Sequence, residues 1–322
     1  MAIYNKISKN IHELTIDNPS TPDDKLTWID VRSKRKKEIE FLRKNYKFSL
    51  AHLQISSIKA VAQRPNIEKG DGYTFMILHF PVYKDGHIAS GEIEFFIGDD
   101  YLITLHNNEL HSLKSFFSSA KKDNQALKSF KFESSTVLLY EILERLMLDS
   151  FTLLDKNSII LNDIEETIFA QESKQAVSDI LTLRRNIINT RRIMQNHKNI
   201  IKKLSEYHTG FVDEKTVKIY YNDLLEHSKR FWEYLELQKE MIEVLNSTNE
   251  SMLNYQISDV MKTLTIFSVI VFPLTLFAAI FGMNTMNSMP FLNSPYDFWI
   301  VVSIMFVGCL GMIMFFYKKK WL

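Results

Sequence analysis

Two long apolar runs lie close together near the C-terminal end of the chain. The first covers residues 264–281 and the second residues 298–317, where Ser303 is the only clearly polar member. Each run approaches the roughly 20 residues that a helix needs to cross a hydrocarbon layer about 30 Å thick. One such run could be the buried helix of a soluble domain, but two adjacent runs favour a pair of transmembrane helices.

Basic residues around these runs indicate their orientation. The connecting loop, residues 282–297, carries no charge before its last residue, whereas both outer flanks are basic. Because cytoplasmic flanks are enriched in Lys and Arg, both termini are predicted in the cytoplasm and the loop outside, in a multi-pass protein of the cell inner membrane. The tail, residues 318–322, completes a predicted basic ring made of Lys262, Lys318, Lys319 and Lys320.

The absence of glycine and proline predicts a very long helix before the first membrane run. Neither residue occurs between positions 211 and 272, so a stalk over residues 211–263 should continue into the membrane as one helix, about 90 Å long at 1.5 Å per residue. Apolar residues recur on one stripe of this helix, and burying the stripe requires neighbouring helices, which favours an assembly. It consists of Val217, Tyr221, Leu224, Phe231, Leu235, Ile242, Leu245, Leu253, Ile257, Val260 and Leu264.

The N-terminal part, residues 1–210, begins with strand patterns. Residues 26–31 and 73–80 are rich in β-branched and aromatic side chains, and two further runs, 92–97 and 101–106, flank a turn and predict a hairpin. A basic run at residues 32–37, together with Glu38 and Glu40, is typical of a solvated helix start.

Helical periodicity follows from residue 109 to 207. The fold class is therefore an α+β cytoplasmic domain with an α/β sheet core and long helices, followed by two C-terminal transmembrane helices. Apolar stripes predict an antiparallel helix pair, with Ile159, Ile160, Ile164, Ile168 and Phe169 on one helix and Ile180, Leu181, Leu183, Ile187, Ile188, Ile193 and Met194 on the other.

Composition and charge exclude several classes of function. The 322 residues carry a formal net charge of +1, so no global field points to nucleic acid. The only cysteine, Cys309, rules out an intrachain disulfide, and the N-terminus lacks the apolar core of a signal peptide. An enzyme acting on a small organic substrate is not expected, because the histidines show no metal-ligand spacing and none lies beside an obvious nucleophile: His79, His106, His111 and His227.

One face of the first membrane helix carries its smaller and more polar residues. Spacings of three and four place them on a single stripe, which is compatible both with lining a pore and with packing between membrane helices. A cation losing its water on so apolar a stripe would face a prohibitive cost, so a pore here would carry hydrated ions and could close by dewetting. The stripe consists of Ser258, Met261, Leu264 or Thr265, Ser268, Phe272, Thr275 and Ala279.

Nearly the whole chain resembles the CorA family of magnesium channels. The motif that follows the first membrane helix is the most specific part of the match, because its position and its sequence agree. The C-terminal match consists of Phe281, Gly282, Met283, Asn284, Met289, Pro290 and the tail Lys318, Lys319, Lys320, Trp321 and Leu322. In the soluble part, residues 28–31, 63–68 and 101–106 look like family motifs.

The resemblance implies a funnel-shaped homopentamer in the lipid bilayer. Gly282, Met283 and Asn284 would form the outer selectivity filter, and Asn284 would hold Mg²⁺ through its hydration water. The apolar stripe would line the pore, with Co²⁺ and Ni²⁺ as further substrates of the channel. Mg²⁺ would also act as a regulatory ion between subunits, with Asp223 as one of its carboxylate ligands.

Three departures from the family pattern affect the predicted sites. Ser56 and Ser57 stand where the family often has an acidic pair, which predicts weaker regulatory Mg²⁺ binding or the use of other acids. Phe291 replaces an acidic loop residue, and Ser258 replaces an Asn at the inner end of the pore.

The predicted function is passive channel-type uptake of hydrated Mg²⁺, driven by the membrane potential and gated by intracellular Mg²⁺. No P-loop or intramembrane chain of acids suggests a pump. The alternatives are a ZntB-like zinc transporter and a non-conducting, membrane-anchored oligomeric protein.

Overall fold

The computed structural model describes residues 2–17, 25–57, 64–122, 134–206, 214–283 and 296–321. The chain divides into two compact units, Met1–Asn246 and Ser247–Leu322. The predicted domain boundary at residues 210 and 211 lies outside the described residues and stays a prediction.

A seven-stranded sheet forms the centre of the first unit, in the order β1-β2-β3-β7-β6-β5-β4. Neighbouring strands are antiparallel except β3 and β7, which are parallel. The strands are β1 Ala2–Lys6, β2 Ile11–Asp17, β3 Lys25–Val31, β4 Asn66–Lys69, β5 Thr74–Lys84, β6 His87–Ile97 and β7 Tyr101–His106.

The strand predictions are confirmed for β3, β5 and the β6–β7 hairpin, and β1, β2 and β4 were missed. Asp85 and Gly86 both have positive φ in the two-residue turn between β5 and β6, which suits the twist of a tight hairpin. The missed strand β4 has only four residues, of which Ile67 alone is buried, so it carries almost no periodic signal.

Two short helices cover one face of the sheet, α1 Lys36–Tyr46 and α2 Leu50–Ser57. Leu42, Phe48 and Leu53 pack there against aromatic and aliphatic residues of the central strands. The predicted solvated helix start is wrong for two residues: Glu38 is buried, and the Lys34 side chain is only 7% exposed because it is paired with two carboxylates of β6.

Besides the first part of the long helix described below, the first unit contains four further helices among the described residues: α3 His111–Lys122, α4 Ser135–Phe169, α5 Ser173–Met194 and α6 His197–Glu206. Helices α4 and α5 form the predicted antiparallel pair. However, four of the twelve residues in the two predicted stripes face outward, and each of the four has an apolar neighbour in the chain that is more buried. The exposed members are Ile159, Phe169, Leu181 and Ile188.

The longest helix, α7, extends over Glu214–Phe281 without interruption, including Pro273 in its membrane part. This confirms the predicted continuous helix from the soluble part into the first apolar run. Its stripe is buried at each predicted position from Val217 to Leu245, but Ile257, Val260 and Leu264 are about 60% exposed or more.

The second unit contains the C-terminal part of α7 and the last helix, α8 Asp297–Lys318. Both helices are long and apolar enough to cross a membrane. Ile266 and Phe316 are the buried apolar residues of this unit among the described residues, and the other large apolar side chains are partly or fully exposed.

Candidate functional site

Asp223, the predicted regulatory ligand, lies in a cluster of three metal-ligating side chains. The ligand atoms of Glu144 on α4 and of Asp223 and His227 on α7 all lie within 4.8 Å of one another. The two helices are held together here by aromatic contacts, with the Tyr140 and Tyr220 rings 4.6 Å apart and Phe151 packed edge-on against Phe231. The packing of α4 on α7 therefore fixes the spacing of the three ligands.

A hydrogen bond from Tyr140 and a close contact with His227 hold the Asp223 carboxylate in place within this cluster. Tyr140 donates its hydroxyl to Oδ2 of Asp223 at 2.9 Å, and Nε2 of His227 lies 3.4 Å from the same oxygen. Burial and the two neighbouring carboxylates, Asp223 and Glu144, raise the pKa of Tyr140 well above its usual value, so the phenol keeps its proton. Tyr140 thus acts as a neutral donor beside a negative site.

The cluster combines two carboxyl groups with one imidazole. Burial and the nearby Glu144 carboxylate raise the pKa of Glu141 on the adjacent turn. Glu144 and His227 are half-buried and the Asp223 side chain is 48% exposed, so water or a neighbouring protein can reach the site. Mg²⁺ uses one or two carboxylates and keeps several waters, and an imidazole also suits Co²⁺ and Ni²⁺. The three side chains fit a hydrated divalent ion.

The structure does not bring Ser56 to this cluster. Its side chain is fully buried and its hydroxyl donates to the carbonyl oxygen of His52, 3.0 Å away. Ser56 therefore does not stand at an exposed position where an acid could bridge to another subunit, and the Ser57 side chain lies outside the described part.

His227 was not predicted as a metal ligand, because the spacing of the histidines along the chain is not typical of a metal site. It follows Asp223 by four residues on one helix, and this spacing places both side chains on the same face. Glu144 could not be found in the same way, because it comes from a different helix, 79 positions earlier in the chain.

All the predicted pore-lining residues are exposed on one side of α7. A stripe on the opposite side is more buried, formed by Lys262, Ile266, Ile270 and Leu274 at spacings of four. A corresponding stripe on α8 includes Met305, Cys309 and Phe316. The exposed face thus remains available for a pore or for another helix. Its described members are Ser258, Met261, Leu264, Thr265, Ser268, Phe272, Thr275 and Ala279.

The hydroxyl groups on this exposed face are oriented by the helix itself. Thr265, Ser268 and Thr275 each donate to the carbonyl oxygen four residues earlier, at 2.7 to 2.8 Å. A hydroxyl that has donated its only proton can act outward only as an acceptor. Water around a cation points its hydrogens outward, so these oxygens suit a hydrated cation rather than an anion.

Gly282 ends α7 at the start of the predicted filter. Its N–H donates to the carbonyl oxygen of Ala278 at 2.9 Å, and a Cβ atom at position 282 would lie only 3.1 Å from the same oxygen. Met283 is exposed. Asn284, the predicted selectivity residue, lies outside the described residues, as does Phe291.

The basic residues flank the two apolar runs. Lys318, Lys319 and Lys320 are exposed at the C-terminus of α8, where positive charge interacts favourably with the helix dipole. Lys262 is half-buried on α7, four residues before Ile266.

A second apolar stripe on α7 was not predicted from the sequence. Tyr234, Leu237, Met241 and Val244 recur at spacings of three, four and three, and their exposed fractions lie between 44% and 63%. The stripe that was predicted from the sequence includes Phe231 and Ile242. That stripe is buried and lies beside the exposed one on the helix. Apolar residues at this spacing are typical of helices that pack against another helix.

The mixed sheet, the uninterrupted helix α7 and the two exposed apolar helices define the class of the protein as a membrane protein with two C-terminal spans. The family model described as CorA-like Mg2+ transporter protein matches residues 23–319. The chain therefore belongs to the CorA-like Mg²⁺ transporter family, which confirms the resemblance found in the sequence.

Relatives of similar length support the assignment. A putative metal ion transporter of Bacillus subtilis, YfjQ, is 26% identical over 312 residues, covering 97% of this chain and 94% of its own. The cobalt/magnesium transport protein CorA of Thermotoga maritima is 26% identical, covering 96% of this chain and 86% of its own. The complete structure of the CorA magnesium transporter from Methanocaldococcus jannaschii matches with a TM-score of 0.81 at 20% identity, covering 100% and 99% of the two chains.

Proposed function

We propose that this chain is a subunit of a passive channel for hydrated Mg²⁺, with Co²⁺ and Ni²⁺ as further substrates. The observation that carries the proposal is the exposed face of α7, whose hydroxyls offer only acceptors and which leads to Gly282 and Met283. Relatives whose names specify cobalt and magnesium transport support the choice of ions.

The membrane potential supplies the driving force in this proposal. Moving one charge through 100 mV is worth about 2.3 kcal/mol, so a divalent cation gains about 4.6 kcal/mol on entering a negative interior. In this proposal the chain lies in the cell inner membrane with both termini in the cytoplasm. The ring formed by Asn284 of each subunit would then face outside and meet the incoming ion first.

Several copies must surround one axis, because two helices cannot enclose a water-filled path. The exposed stripe of Tyr234, Leu237, Met241 and Val244 supports such an assembly, since it offers an apolar surface for a second copy. We adopt the funnel-shaped homopentamer implied by the family, with α7 around the axis.

Intracellular Mg²⁺ would close the channel by binding at Glu144, Asp223 and His227. The half-exposed Asp223 leaves coordination positions for water and for an acid of a neighbouring subunit. The bound ion would favour the closed arrangement by linking subunits, and low cytoplasmic Mg²⁺ would release them.

The test is flux into liposomes that contain the purified protein and a Mg²⁺-sensitive dye. Wild type should conduct when a potential is applied, Asn284→Ala should abolish or severely reduce the signal, and Asn293→Ala in the same loop is the matched control. A silent wild type would favour a non-conducting anchored oligomer. Uptake of Zn²⁺ with exclusion of Mg²⁺ would favour the ZntB-like alternative.

A further inference from the structure

A group of charged side chains is buried inside the first unit, away from the Asp223 cluster. Lys34 forms ion pairs with Glu92 and with Glu94, which lie two residues apart on the same face of β6. Glu92 also pairs with His79 across the β5–β6 ladder, at 3.1 Å. None of these four side chains is more than 7% exposed.

The charges in this group do not balance when both carboxyl groups are ionised. Lys34 contributes one positive charge and the two glutamates contribute two negative charges, so the net charge is −1 unless one further proton is bound. An unbalanced charge in an apolar core is costly, and such a site usually binds a proton instead. One of the two carboxyl groups can accept it.

The surroundings favour Glu94 as the proton acceptor. Its cross-strand neighbours are Ile77 on β5 and Leu105 on β7, both members of the hydrophobic core. Glu92, in contrast, is paired with two nitrogen donors, the Lys34 ammonium and the His79 imidazole. Burial, partly opposed by Lys34, raises the pKa of Glu94 to about 7, whereas His79 and Lys34 help to lower that of Glu92.

Ser56 on α2 connects the protonation state to a helix. Its hydroxyl donates to the His52 carbonyl oxygen at 3.0 Å and also acts on Glu94, whose buried Oε2 has no hydrogen-bond partner among the described residues. When Glu94 is ionised, Ser56 can donate to it. When Glu94 is protonated, Glu94 can donate to Ser56, and Ser56 then donates to His52. The hydrogen bonds of the last turn of α2 would therefore depend on whether Glu94 carries a proton.

We propose that Glu94, together with Lys34, Glu92 and Ser56, forms a buried proton-binding site, and that binding of one proton adjusts the attachment of α2 to the sheet. Among the described residues, the other titratable groups nearby are His79, which faces Glu92, and His197 of α6, which acts on His79 through its charge.

Infrared difference spectroscopy on the full-length protein tests the site directly. Between about pH 8.5 and 5, wild type should gain the carbonyl stretch of one protonated buried carboxyl group, and Glu94→Gln should lose that band. Glu13→Gln, a more exposed carboxylate of β2, is the matched control and should keep it. Persistence of the band in Glu94→Gln would overturn the proposal.

A second variant separates proton binding from a purely structural role. Ser56 helps to stabilise the ionised form of Glu94, so Ser56→Ala should move the midpoint of the infrared titration to higher pH. An unchanged midpoint would contradict the role given to Ser56. Thermal unfolding adds an independent readout: Glu94→Gln should raise the melting temperature at pH 8.5 and leave it nearly unchanged at pH 5, because Gln imitates the protonated acid. Equal shifts at both values would count against the site.

Discussion

Tyr140 on α4 donates a 2.9 Å hydrogen bond to Oδ2 of Asp223 on α7. The bond joins two helices at the point where Glu144 and His227 approach the same carboxylate. Since the phenol keeps its proton, it can donate to the Asp223 carboxyl group and hold it in one orientation. A metal bound here would find one ligand already positioned, which lowers the entropic cost of binding.

Removing the charge of Asp223 should weaken divalent-cation binding. Asp223→Asn keeps an oxygen that accepts from Tyr140 but removes the negative charge, so the helix contact is preserved while the site is damaged. We expect Mg²⁺ to protect this variant from limited proteolysis only at concentrations about tenfold higher or more, a loss of at least ~1.4 kcal/mol.

Glu233→Gln is the matched control for this experiment, because Glu233 is a 63% exposed carboxylate on the same helix, outside the cluster. It should retain the wild-type Mg²⁺ dependence. Equal protection of wild type and Asp223→Asn would exclude a regulatory role for Asp223.

His197 should make the first unit less stable in acid. It is almost completely buried, and burial, with a smaller effect of His79, lowers its pKa from 6.5 to about 4. The unfolded chain therefore binds a proton more readily, so stability is present above pH 6.5 and is lost as pH falls towards 4. The loss is on the order of 3 kcal/mol.

The comparison with His197→Phe isolates this effect. Phe preserves the ring contact with Phe80 and cannot titrate. The difference in unfolding free energy between wild type and this variant should change between pH 6.5 and 4. Glu94 has a raised pKa and changes the stability in the opposite direction, but its contribution is common to both proteins and cancels in this difference. His111→Phe, at an exposed position, is the control. A pH-independent difference for His197→Phe would refute the assignment.

Much of the architecture could be predicted from local patterns. The absence of Gly and Pro between residues 211 and 272 predicted α7, and two apolar runs predicted the helices that follow one another at the C-terminus. These features depend on short-range spacing, which the sequence displays directly. The predicted regulatory residue Asp223 came from family resemblance, and the structure adds its partners Glu144 and His227.

The features that were missed depend on contacts distant in sequence. Charged residues are usually exposed, so nothing in the sequence marked Lys34 as buried between Glu92 and Glu94, about 60 positions away. In the same way, the period of α7 fits two neighbouring stripes, and only packing against the rest of the unit shows that the stripe through Leu237 is left exposed.

A charge on that exposed stripe should disrupt the assembly. Leu237→Glu places a carboxylate where the side chain is 59% exposed in one chain and would be buried between copies. Burial of one Leu contributes about 1.5–3 kcal/mol, so the loss is multiplied by the number of subunits. Native mass spectrometry in detergent should show smaller species for this variant.

The folded state of Leu237→Glu serves as a check, because an exposed substitution should leave the helical circular-dichroism signal intact. Glu243→Lys changes the charge at an exposed position on another side of α7 and should not alter the number of subunits in the oligomer. An unchanged oligomer of Leu237→Glu would show that this stripe does not join subunits.

Ser268 should keep the apolar part of the proposed pore from drying out. It lies between Leu264 and Phe272, which are separated by about 12 Å along the helix at 1.5 Å per residue. Its hydroxyl donates to the Leu264 carbonyl oxygen at 2.8 Å and therefore offers an acceptor to water at the middle of this stretch.

Ser268→Val removes the acceptor and joins two short apolar segments into one long segment, which favours dewetting. We expect several-fold lower Mg²⁺ flux for this variant in liposomes and nearly normal flux for Ser268→Thr, which keeps a hydroxyl. Ser303→Val on α8 is the matched control, and equal flux through Ser268→Val and wild type would place Ser268 at a helix contact instead of the pore.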